Sequence, residues 1–309
     1  MCLPRAVRAS ALVLMVLVML SLPGCSGARH KGEDAIIVGN ESCPLKNDIK
    51  TYLLLGVDTE ESLREEKEPG LGGQSDAIYL LVCDMSKKSV HIVGIPRDTM
   101  TEIKVFLPSG KYNGVSTDHL TLQYAFGDGM EFSCQLMEVA VSKLLYGIPI
   151  DGYAALNLGA VPDLADALNG VEVIVPDDSA VSEESTFKKG AKITLTRHNI
   201  KKFLRFRDIE TTLSASIRME RHKAFFRGCA KKLKSMAEED AASVIRLYET
   251  YSSEFITDME PEECAGLARF DFEEDVELIP GKYNSDADFD EFYVDETALR
   301  KMVKRIFCE

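Results

Sequence analysis

The sequence predicts an α/β protein with a single αβα domain, in which a central mixed β-sheet is flanked by helices on both faces. Three short runs, Tyr52–Val57, Ala77–Cys83 and Ser89–Ile95, have apolar residues on both sides of an extended chain. Strands of this kind are typical of a sheet that is covered on both faces. Helical patterns alternate with such runs, and no repeat or Pro/Gly-rich linker interrupts residues 48–309. The chain therefore reads as one folded domain.

The helical predictions rest on apolar stripes. Residues 131–145, EFSCQLMEVAVSKLL, carry apolar residues at helical spacing and are followed by Gly147 and Pro149, which end helices. Ile217–Met236 has an amphipathic pattern. From about Asp240 onward we expect helices and loops that pack on the domain. The other predicted elements are strands at 153–156 and 171–175 and helices at 161–168 and 199–204.

The composition excludes one class of function. The chain has 309 residues, 45% hydrophobic and 28% charged, which is enough to bury a sizeable core. Its formal net charge is -14. Binding to nucleic acid rests on a broad basic face that neutralises several phosphates. The acidic balance therefore argues against a nucleic-acid partner, and against a regulator of transcription that contacts DNA.

The N-terminus predicts export. Two arginines precede an apolar run from Ala9 to Leu22, whose 14 residues are fewer than the 18 or so of a spanning helix. This arrangement is typical of a secretory signal over residues 1–25. The ending LPGC resembles a bacterial lipobox, in which Cys25 becomes lipidated; an uncleaved signal anchor is the alternative. Residues 26–47 are polar and are predicted to be a tether. Both readings place the domain outside the cytoplasm, bound to the membrane.

The cysteines carry little information. Eight occur, and the six beyond the signal show no CxxC or Cys/His spacing that would predict zinc. Cys83 lies in an apolar run and is expected to be a buried thiol. An exported protein can oxidise some of the others, but the pairing does not follow from the sequence.

The predicted strand Ser89–Ile95 runs directly into PRDT, Pro96–Thr99. Open sheets place their ligands at the carboxyl ends of strands. Arg97 at such a position is able to bind a phosphate or carboxylate with two parallel donors. The alternative is a surface turn in which Arg97 pairs with Asp98.

Two aspartates flank neighbouring predicted strands. Asp58 ends the first strand and Asp76 begins the second. Mg²⁺ takes few carboxylates and completes its shell with water and phosphate oxygens, so this pair is a candidate magnesium site. Isolated aspartates are more commonly turn or cap residues, which is the alternative.

A cationic segment stands out in this acidic chain. LRFRDIETTLSASIRMERH, residues 204–222, contains four arginines: Arg205, Arg207, Arg218 and Arg221. Arg218 and Arg221 are three apart on a helix and share one face. Arg218 lies in the first turn, where the helix dipole disfavours a cation, so a bound anion is the simplest explanation. The alternative is a solvated face paired with Glu210 and Glu220, and it fits Arg221 best.

In order along the chain, several segments resemble the LytR-CpsA-Psr family: LLLGVD, QSDAIYLLVCDMSKKSVHIVGIPRDT, KYN, IDGYAALNLGAVPDLADALNGVEVIVP, LRFRD and RMERHKAF. The resemblance implies a catalytic domain over residues 48–309, with a core at 50–226 and a C-terminal extension at 227–309. It implies a phosphotransferase at the outer face of the bacterial cytoplasmic membrane. Such enzymes move a glycopolymer phosphate, such as teichoic acid or capsule, from a polyprenyl pyrophosphate carrier onto peptidoglycan. The apolar helices would also line a pocket for the isoprenoid tail, although an ordinary core explains them equally well.

The resemblance also implies roles for individual residues. Asp58 and Asp76 match the family's Mg²⁺ (or Mn²⁺) ligands, and Asp98 matches an acid that supports the site. The implied catalytic and pyrophosphate-binding arginines are Arg97, Arg205, Arg207 and Arg218. Further implied substrate contacts are Arg221, Gln74, His222, and Lys111 with Asn113 of the KYN segment.

Three positions depart from the family pattern. Gln74 stands where an arginine is common, Ala215 where an aspartate precedes the RxxR motif, and His222 where a glutamine follows it. Phosphoryl transfer depends mostly on positioning and charge neutralisation, so one lost arginine weakens the site without abolishing it. The lost aspartate matters more if it orients or deprotonates the acceptor. Asp208, Glu210 and His222 are the candidate substitutes, and His222 could act as a base near neutral pH. The alternative to an active enzyme is therefore a degenerate member that binds polyprenyl pyrophosphate or hydrolyses it slowly.

Overall fold

The computed structural model describes residues 35–66, 68–206, 214–284 and 290–309. The predicted signal with Cys25, the first part of the tether, Arg207, and the candidate substitutes Asp208 and Glu210 lie outside the described residues. Ala35–Glu309 forms one compact unit with its own core. Within the described ranges, no helix is both long and apolar enough to cross a membrane.

A six-stranded mixed sheet is the centre of this unit. From edge to edge its strands are β11 (Phe255–Thr257), β8 (Gly152–Asn157), β3 (Ile49–Val57), β4 (Ser75–Asp84), β5 (Ser89–Ile95) and β12 (Asp271–Leu278). β4 pairs antiparallel with both β3 and β5, β8 pairs parallel with β3, and β12 pairs parallel with β5. β11 closes the first edge in antiparallel pairing with β8. The predicted mixed sheet is confirmed.

Short hairpins and helices surround the sheet. The hairpins are β1 (Ala35–Val38) with β2 (Glu41–Pro44), β6 (Met100–Phe106) with β7 (Tyr112–His119), β9 (Val171–Ile174) with β10 (Lys192–Leu195), and β13 (Gly281–Asn284) with β14 (Glu291–Val294). The helices are α1 (Leu122–Ala125), α2 (Glu131–Leu144), α3 (Val161–Ala167), α4 (Ile200–Arg205), α5 (Ser214–Glu239), α6 (Ala241–Tyr251), α7 (Pro261–Leu267) and α8 (Glu296–Phe307).

Both faces of the sheet are covered. Along β4, Ile78 and Leu80 belong to the core that includes α2 and α8, whereas Tyr79 and Leu81 belong to the core on the other face. That second core includes residues of α7, with Met219 and Phe226 of α5 packed against it. Because successive side chains of a strand point to opposite faces, a strand that is apolar throughout needs cover on both sides. The predicted αβα architecture is confirmed.

Part of the predicted tether is folded. β1 and β2 form a hairpin within residues 26–47, and a disulfide joins Cys43 of β2 to Cys308 after α8, with a Cα–Cα distance of 5.7 Å. The expectation of a tether is therefore wrong from residue 35 onward. The prediction of a buried thiol at Cys83 is confirmed. Cys83 is fully buried, and burial raises the pKa of its thiol to about 12.

The C-terminal extension contains more than helices and loops. Its strands β11 and β12 complete both edges of the central sheet, so the expectation of a helix-and-loop segment is wrong. Residues 271–278, DFEEDVEL, contain five acidic residues among eight and lack the continuous apolar character of a central strand. An edge strand tolerates this composition because one of its sides faces solvent.

Candidate active site

The end of β3, the start of β4 and the end of β5 meet at one end of the sheet, because these neighbours are antiparallel. A β-bulge lies there. Gly56 pairs with Ala77 but Val57 pairs with Ser75, so Asp76 is the extra residue of β4. A bulge bends its strand and redirects a side chain, and such features concentrate next to active sites. The topology therefore gathers Asp58, Asp76 and Arg97, as the sequence predicted.

Two arginines from different elements converge on Asp76. Arg97 donates from Nη1 to Asp76 Oδ1 and from Nε to Asp98 Oδ1, the latter at 3.2 Å. Arg218 of α5 places its Nη1 3.9 Å from Asp76 Oδ2. Burial by itself lowers the pKa of Arg97, but the carboxylates of Asp76 and Asp98 together raise it above its ordinary value. The cluster thus holds two cations at this end of the sheet, with the side chain of Arg97 27% exposed and that of Arg218 15% exposed.

A small cavity lies beside this cluster. It is lined by residues 76–79 of β4, residues 95–98 at the end of β5, Tyr283, and the α5 residues Arg218, Met219 and His222. Its volume of about 20 Å³ is room for about one water molecule. The cavity is too small for an isoprenoid tail, and the apolar residues of β4 beyond it belong to the cores described above. An ordinary core thus accounts for these residues.

His222 lies in the wall of this cavity with both ring nitrogens engaged. Nε2 is 3.1 Å from the carbonyl of Leu204, which accepts only, so the proton is assigned to Nε2. Nδ1 then accepts from the hydroxyl of Tyr79 at 3.1 Å. Burial, with the nearby charge of Arg218, lowers the pKa of His222 to about 4. The ring is neutral near pH 7 with its lone pair in use, which argues against the predicted role as a base.

Arg221 has a different environment from Arg218. It is 1% exposed, and its Nε donates to the carbonyl of Phe203 at 2.8 Å, while Nη2 donates to the carbonyl of Phe206. Nη1 donates to Ser179 Oγ at 2.6 Å and to Asp177 Oδ1 at 3.2 Å. The alternative of a solvated face is therefore wrong for this residue. Arg221 holds the end of α4 against the loop after β9 and does not line the cavity.

The remaining predicted contacts lie around the edge of the site. The backbone of Gln74 is paired with Asp58. The Gln74 backbone N–H donates to Asp58 Oδ1 at 2.7 Å, and the Gln74 backbone carbonyl accepts from the Asp58 N–H at 3.0 Å. Arg205 at the end of α4 is exposed and pairs with Glu60 at 2.8 Å, two residues beyond Asp58. Its cationic group therefore lies on the Asp58 side of this end of the sheet.

Lys111 and Asn113 lie apart from these residues. They are at the turn end of the β6–β7 hairpin, and both are exposed. Six residues of β6 separate this end from Met100, which is roughly 20 Å at the rise of a strand. The structure therefore does not bring the KYN segment to Asp76 and Arg97.

Asp58 and Asp76 fit a magnesium ion in donor type and number. Two carboxylates suit an ion that takes its other ligands from water and phosphate. Asp58 is exposed, and its Oδ2 has no hydrogen-bond partner in the described part of the chain. Within those same residues, no group of three or more His, Cys, Asp or Glu side chains is arranged to hold a metal. The pair therefore suits an ion shared with a ligand better than a closed structural site.

Sequence reasoning missed the residues that hold the strand ends. Thr121 is buried, its amide donates to the Arg97 carbonyl at 3.0 Å, and its hydroxyl donates to the Ser75 carbonyl at 3.0 Å. It thereby fixes the backbone next to both Asp76 and Arg97. A single threonine outside any motif gives no signal in the sequence. Tyr79 was likewise counted only as an apolar strand residue.

Comparison with known proteins identifies related chains. Residues 27–305 match the model of the LytR_cpsA_psr family. The polyisoprenyl-teichoic acid–peptidoglycan teichoic acid transferase TagU of Bacillus cereus is 33% identical over 162 residues, 52% of this chain and 45% of that protein. The TagU protein of Halalkalibacterium halodurans is 31% identical over 123 residues, 40% of this chain and 34% of that protein. The matched region spans less than half the length of either relative.

Solved structures share the fold. TagT bound to LIIa-WTA superposes with a TM-score of 0.61 at 21% identity, covering 84% of this chain and 89% of that one. Bacillus subtilis TagV gives a TM-score of 0.63 at 20% identity, covering 84% and 96%. Protein gbs0355 of Streptococcus agalactiae gives 0.64 at 19% identity, covering 84% and 86%. At these identities the likeness establishes the αβα fold.

Proposed function

Because the chain belongs to the LytR_cpsA_psr family, we propose that it transfers a phosphate-linked glycopolymer from a polyprenyl pyrophosphate carrier to peptidoglycan. The polymer is teichoic acid or resembles capsule. The names of the TagU relatives, teichoic acid transferases that act on peptidoglycan, support this substrate class. The predicted N-terminal signal supports a reaction at the outer face of the membrane. The Cys43–Cys308 disulfide supports that location, because disulfides persist in oxidising compartments.

The convergence of Arg97 and Arg218 on Asp76 carries the proposal. A pyrophosphate is a compact polyanion, and guanidinium groups bind phosphate oxygens with paired donors. The two arginines come from different elements, so a phosphate between them has donors on two sides. Arg205 adds a third cation at the same end of the sheet. Before a ligand binds, Asp76 keeps the two arginines close together, and Thr121 fixes the backbone that carries Arg97.

Asp58 and Asp76 would hold Mg²⁺ or Mn²⁺ together with the phosphates. Such an ion would supply positive charge that neutralises the phosphate oxygens. The residues of the chain itself bind and orient the pyrophosphate through Arg97 and Arg218. Asp98 supports Arg97 by accepting from its Nε.

A second candidate function is a degenerate member that binds the carrier or releases phosphate slowly. It is favoured by one specific observation, the engagement of both His222 nitrogens. Ala215 replaces an aspartate, and His222 offers no lone pair to take its place as a base. On this reading the arginine cluster retains affinity while transfer to the acceptor is lost.

The test uses residues 30–309, a polyprenyl pyrophosphate oligosaccharide and a peptidoglycan oligomer, with and without Mg²⁺. We expect transfer that depends on Mg²⁺ and falls about 10²- to 10³-fold in Arg97→Ala and in Asp76→Asn. Arg197→Ala is the matched control, since Arg197 pairs with Asp163 and Asp166, neither of which is a predicted site residue. Tight binding without transfer would select the degenerate member. Absence of both binding and transfer would overturn the two candidates together.

A further inference from the structure

The β6–β7 hairpin projects from the active site and carries an unusual surface. It begins three residues after Arg97, and its base is tied to the site by the Leu120 amide, which donates to the Thr99 carbonyl at 2.9 Å. At its far end four large apolar side chains are exposed on or next to the hairpin. They are Leu107, Tyr112, Val115 and Phe132, between 40% and 53% exposed.

Strand register places Tyr112 and Val115 on one face together with Phe106 and Lys104, and Leu107 follows Phe106 at the turn. Phe106 pairs with Tyr112 and Lys104 pairs with Val115, and directly opposed residues project to the same side. Phe132, in the first turn of α2, contacts Phe106 edge-to-face with ring centroids 5.7 Å apart, and Phe106 contacts Tyr112 in the same way. We call the surface at this end of the hairpin, made of Lys104, Phe106, Leu107, Tyr112, Val115 and Phe132, the hairpin face.

The end of the hairpin is well ordered by its turn. The amide of Leu107 donates to the Lys111 carbonyl at 2.9 Å, and the amide of Gly110 donates to the Leu107 carbonyl at 2.8 Å. Gly110 has a φ of 75° and Gly114 a φ of 103°, a region that favours glycine. The exposed apolar groups therefore stand on a built loop and strand pair, where water would ordinarily favour polar residues.

The charge of this segment is opposite to that of the chain. Residues 103–117, IKVFLPSGKYNGVST, contain two lysines and no acidic residue, in a protein of net charge -14. Neither Lys104 nor Lys111 has an ion-pair partner among the described side chains. The nearest acidic residues in sequence are Glu102, whose carboxylate pairs with Lys143, and Asp118, which accepts from His119. Glu131, in the first turn of α2, is the acidic residue next to Phe132 in the sequence.

We propose that the hairpin face docks on the anionic lipid surface of the membrane. Exposed Leu, Val, Phe and Tyr next to lysines are the combination that binds the boundary between headgroups and acyl chains. The aromatic rings suit that boundary, and lysine stems reach the headgroups. A glycan would also stack on aromatic rings, but the hairpin end offers no carboxylate to bind sugar hydroxyls. Leu107 and Val115 favour a lipid surface.

Docking has a consequence for the active site. The hairpin is rooted beside Arg97, so docking of its face would hold the arginine cluster at the membrane, roughly 20 Å along the hairpin from its docked end. This docking does not depend on transfer activity, and it is measured without any substrate. Its failure and the failure of the proposed function are therefore separate outcomes.

The test uses residues 35–309, the compact unit without the N-terminal apolar run, and flotation with two kinds of vesicle. Phosphatidylcholine vesicles are compared with an equal mixture of phosphatidylglycerol and phosphatidylcholine. We expect binding to the anionic mixture and about tenfold weaker binding for Leu107→Ser/Tyr112→Ser. Lys104→Gln/Lys111→Gln is expected to lose about fivefold per lysine on anionic vesicles only. Matched controls are Ile174→Ser, a residue 65% exposed on another hairpin, and Lys188→Gln/Lys189→Gln.

A second readout exploits the absence of tryptophan from the sequence. Tyr112→Trp is expected to shift its fluorescence to the blue on anionic vesicles, whereas Ile174→Trp is expected to stay unchanged. Unchanged thermal unfolding shows that the exposed substitutions preserve the fold. Equal vesicle binding by wild type and the hairpin variants would overturn the proposal. If the hairpin variants lost binding to purified peptidoglycan but still bound vesicles, that result would also overturn the proposal and assign the face to the cell wall.

Discussion

Arg218 and Arg221 are one turn apart on α5, yet they belong to two different kinds of cluster. Arg218 is 15% exposed and faces Asp76 and the cavity. Arg221 is 1% exposed, and its donors reach two backbone carbonyls, a serine and Asp177. A guanidinium that binds carbonyls in the interior is committed to the fold. One that meets a carboxylate at an open end of the sheet remains accessible to a ligand.

The difference separates binding from stability. In the cluster beside the cavity, the carboxylate of Asp76 holds the positive charges of Arg97 and Arg218 together, and both side chains remain partly exposed to water. In the buried cluster, the positive charge of Arg221 is surrounded, and burial lowers its pKa against the raising effect of Asp177. Removing a partner from a buried ion pair leaves an uncompensated charge, which is costly. Removing a charge from an open site mainly weakens what binds there.

The largest effect is expected from Arg218→Ala. We expect transfer to fall about 10³-fold, roughly 4 kcal/mol of transition-state stabilisation, because the phosphoryl group loses a cation that neutralises it. The midpoint of thermal unfolding is expected to change by only a few degrees, since Arg97 still pairs with Asp76. Initial rates with the carrier substrate and a thermal melt measure the two quantities.

Arg227→Ala is the matched control for that variant. Arg227 lies on the same helix and pairs with Asp275 at 2.9 Å, with its side chain 47% exposed. Its replacement is expected to leave both transfer and stability nearly unchanged. A large loss of stability in Arg218→Ala would break the comparison, because Arg218 would then be structural as well.

The second effect is expected in stability. Arg221→Ala leaves Asp177 without its cation and two carbonyls without donors, so the free energy of unfolding should fall by about 3 to 5 kcal/mol. Denaturant titration measures this loss. Arg221→Lys restores the charge but not the planar arrangement of donors, and is expected to recover only part of it. Normal stability with lost transfer would reverse the assignment and make Arg221 a substrate ligand.

The sequence predicted what depends on neighbouring residues and strand ends. Continuous apolar character located β3, β4 and β5, and the antiparallel order brings Asp58, Asp76 and Arg97 together at their ends. The edge strand β12 was missed because its acidic composition hides the strand. Arg221 was assigned to a solvated face rather than to the interior, because its partner Asp177 lies 44 residues away along the chain. Lys111 was expected to contact the substrate because the β6–β7 hairpin, which carries it away from Asp76 and Arg97, was not predicted.

The smallest effect concerns His222, which lies between the two clusters. Its pKa of about 4 in the folded protein is below the ordinary value of 6.5. As the pH falls from about 6.5 to 4, the unfolded chain binds a proton that the folded chain refuses, so stability decreases over this range. The full loss is at most about 3 kcal/mol, from the shift of the pKa. Stability above pH 7 is unaffected by this group.

His222→Gln isolates this contribution. Glutamine offers one donor for the Leu204 carbonyl and one acceptor for the Tyr79 hydroxyl, without a titrating group. We therefore expect the variant to match the wild type at pH 7 and to exceed it in stability at pH 4.5, as measured by urea titration at both pH values. Because the other histidines are common to both proteins, the difference reports His222 alone. In Arg218→Ala the inflection should move to higher pH, since the charge of Arg218 helps to lower this pKa. An inflection that stays in place would mean that the two clusters are electrostatically independent.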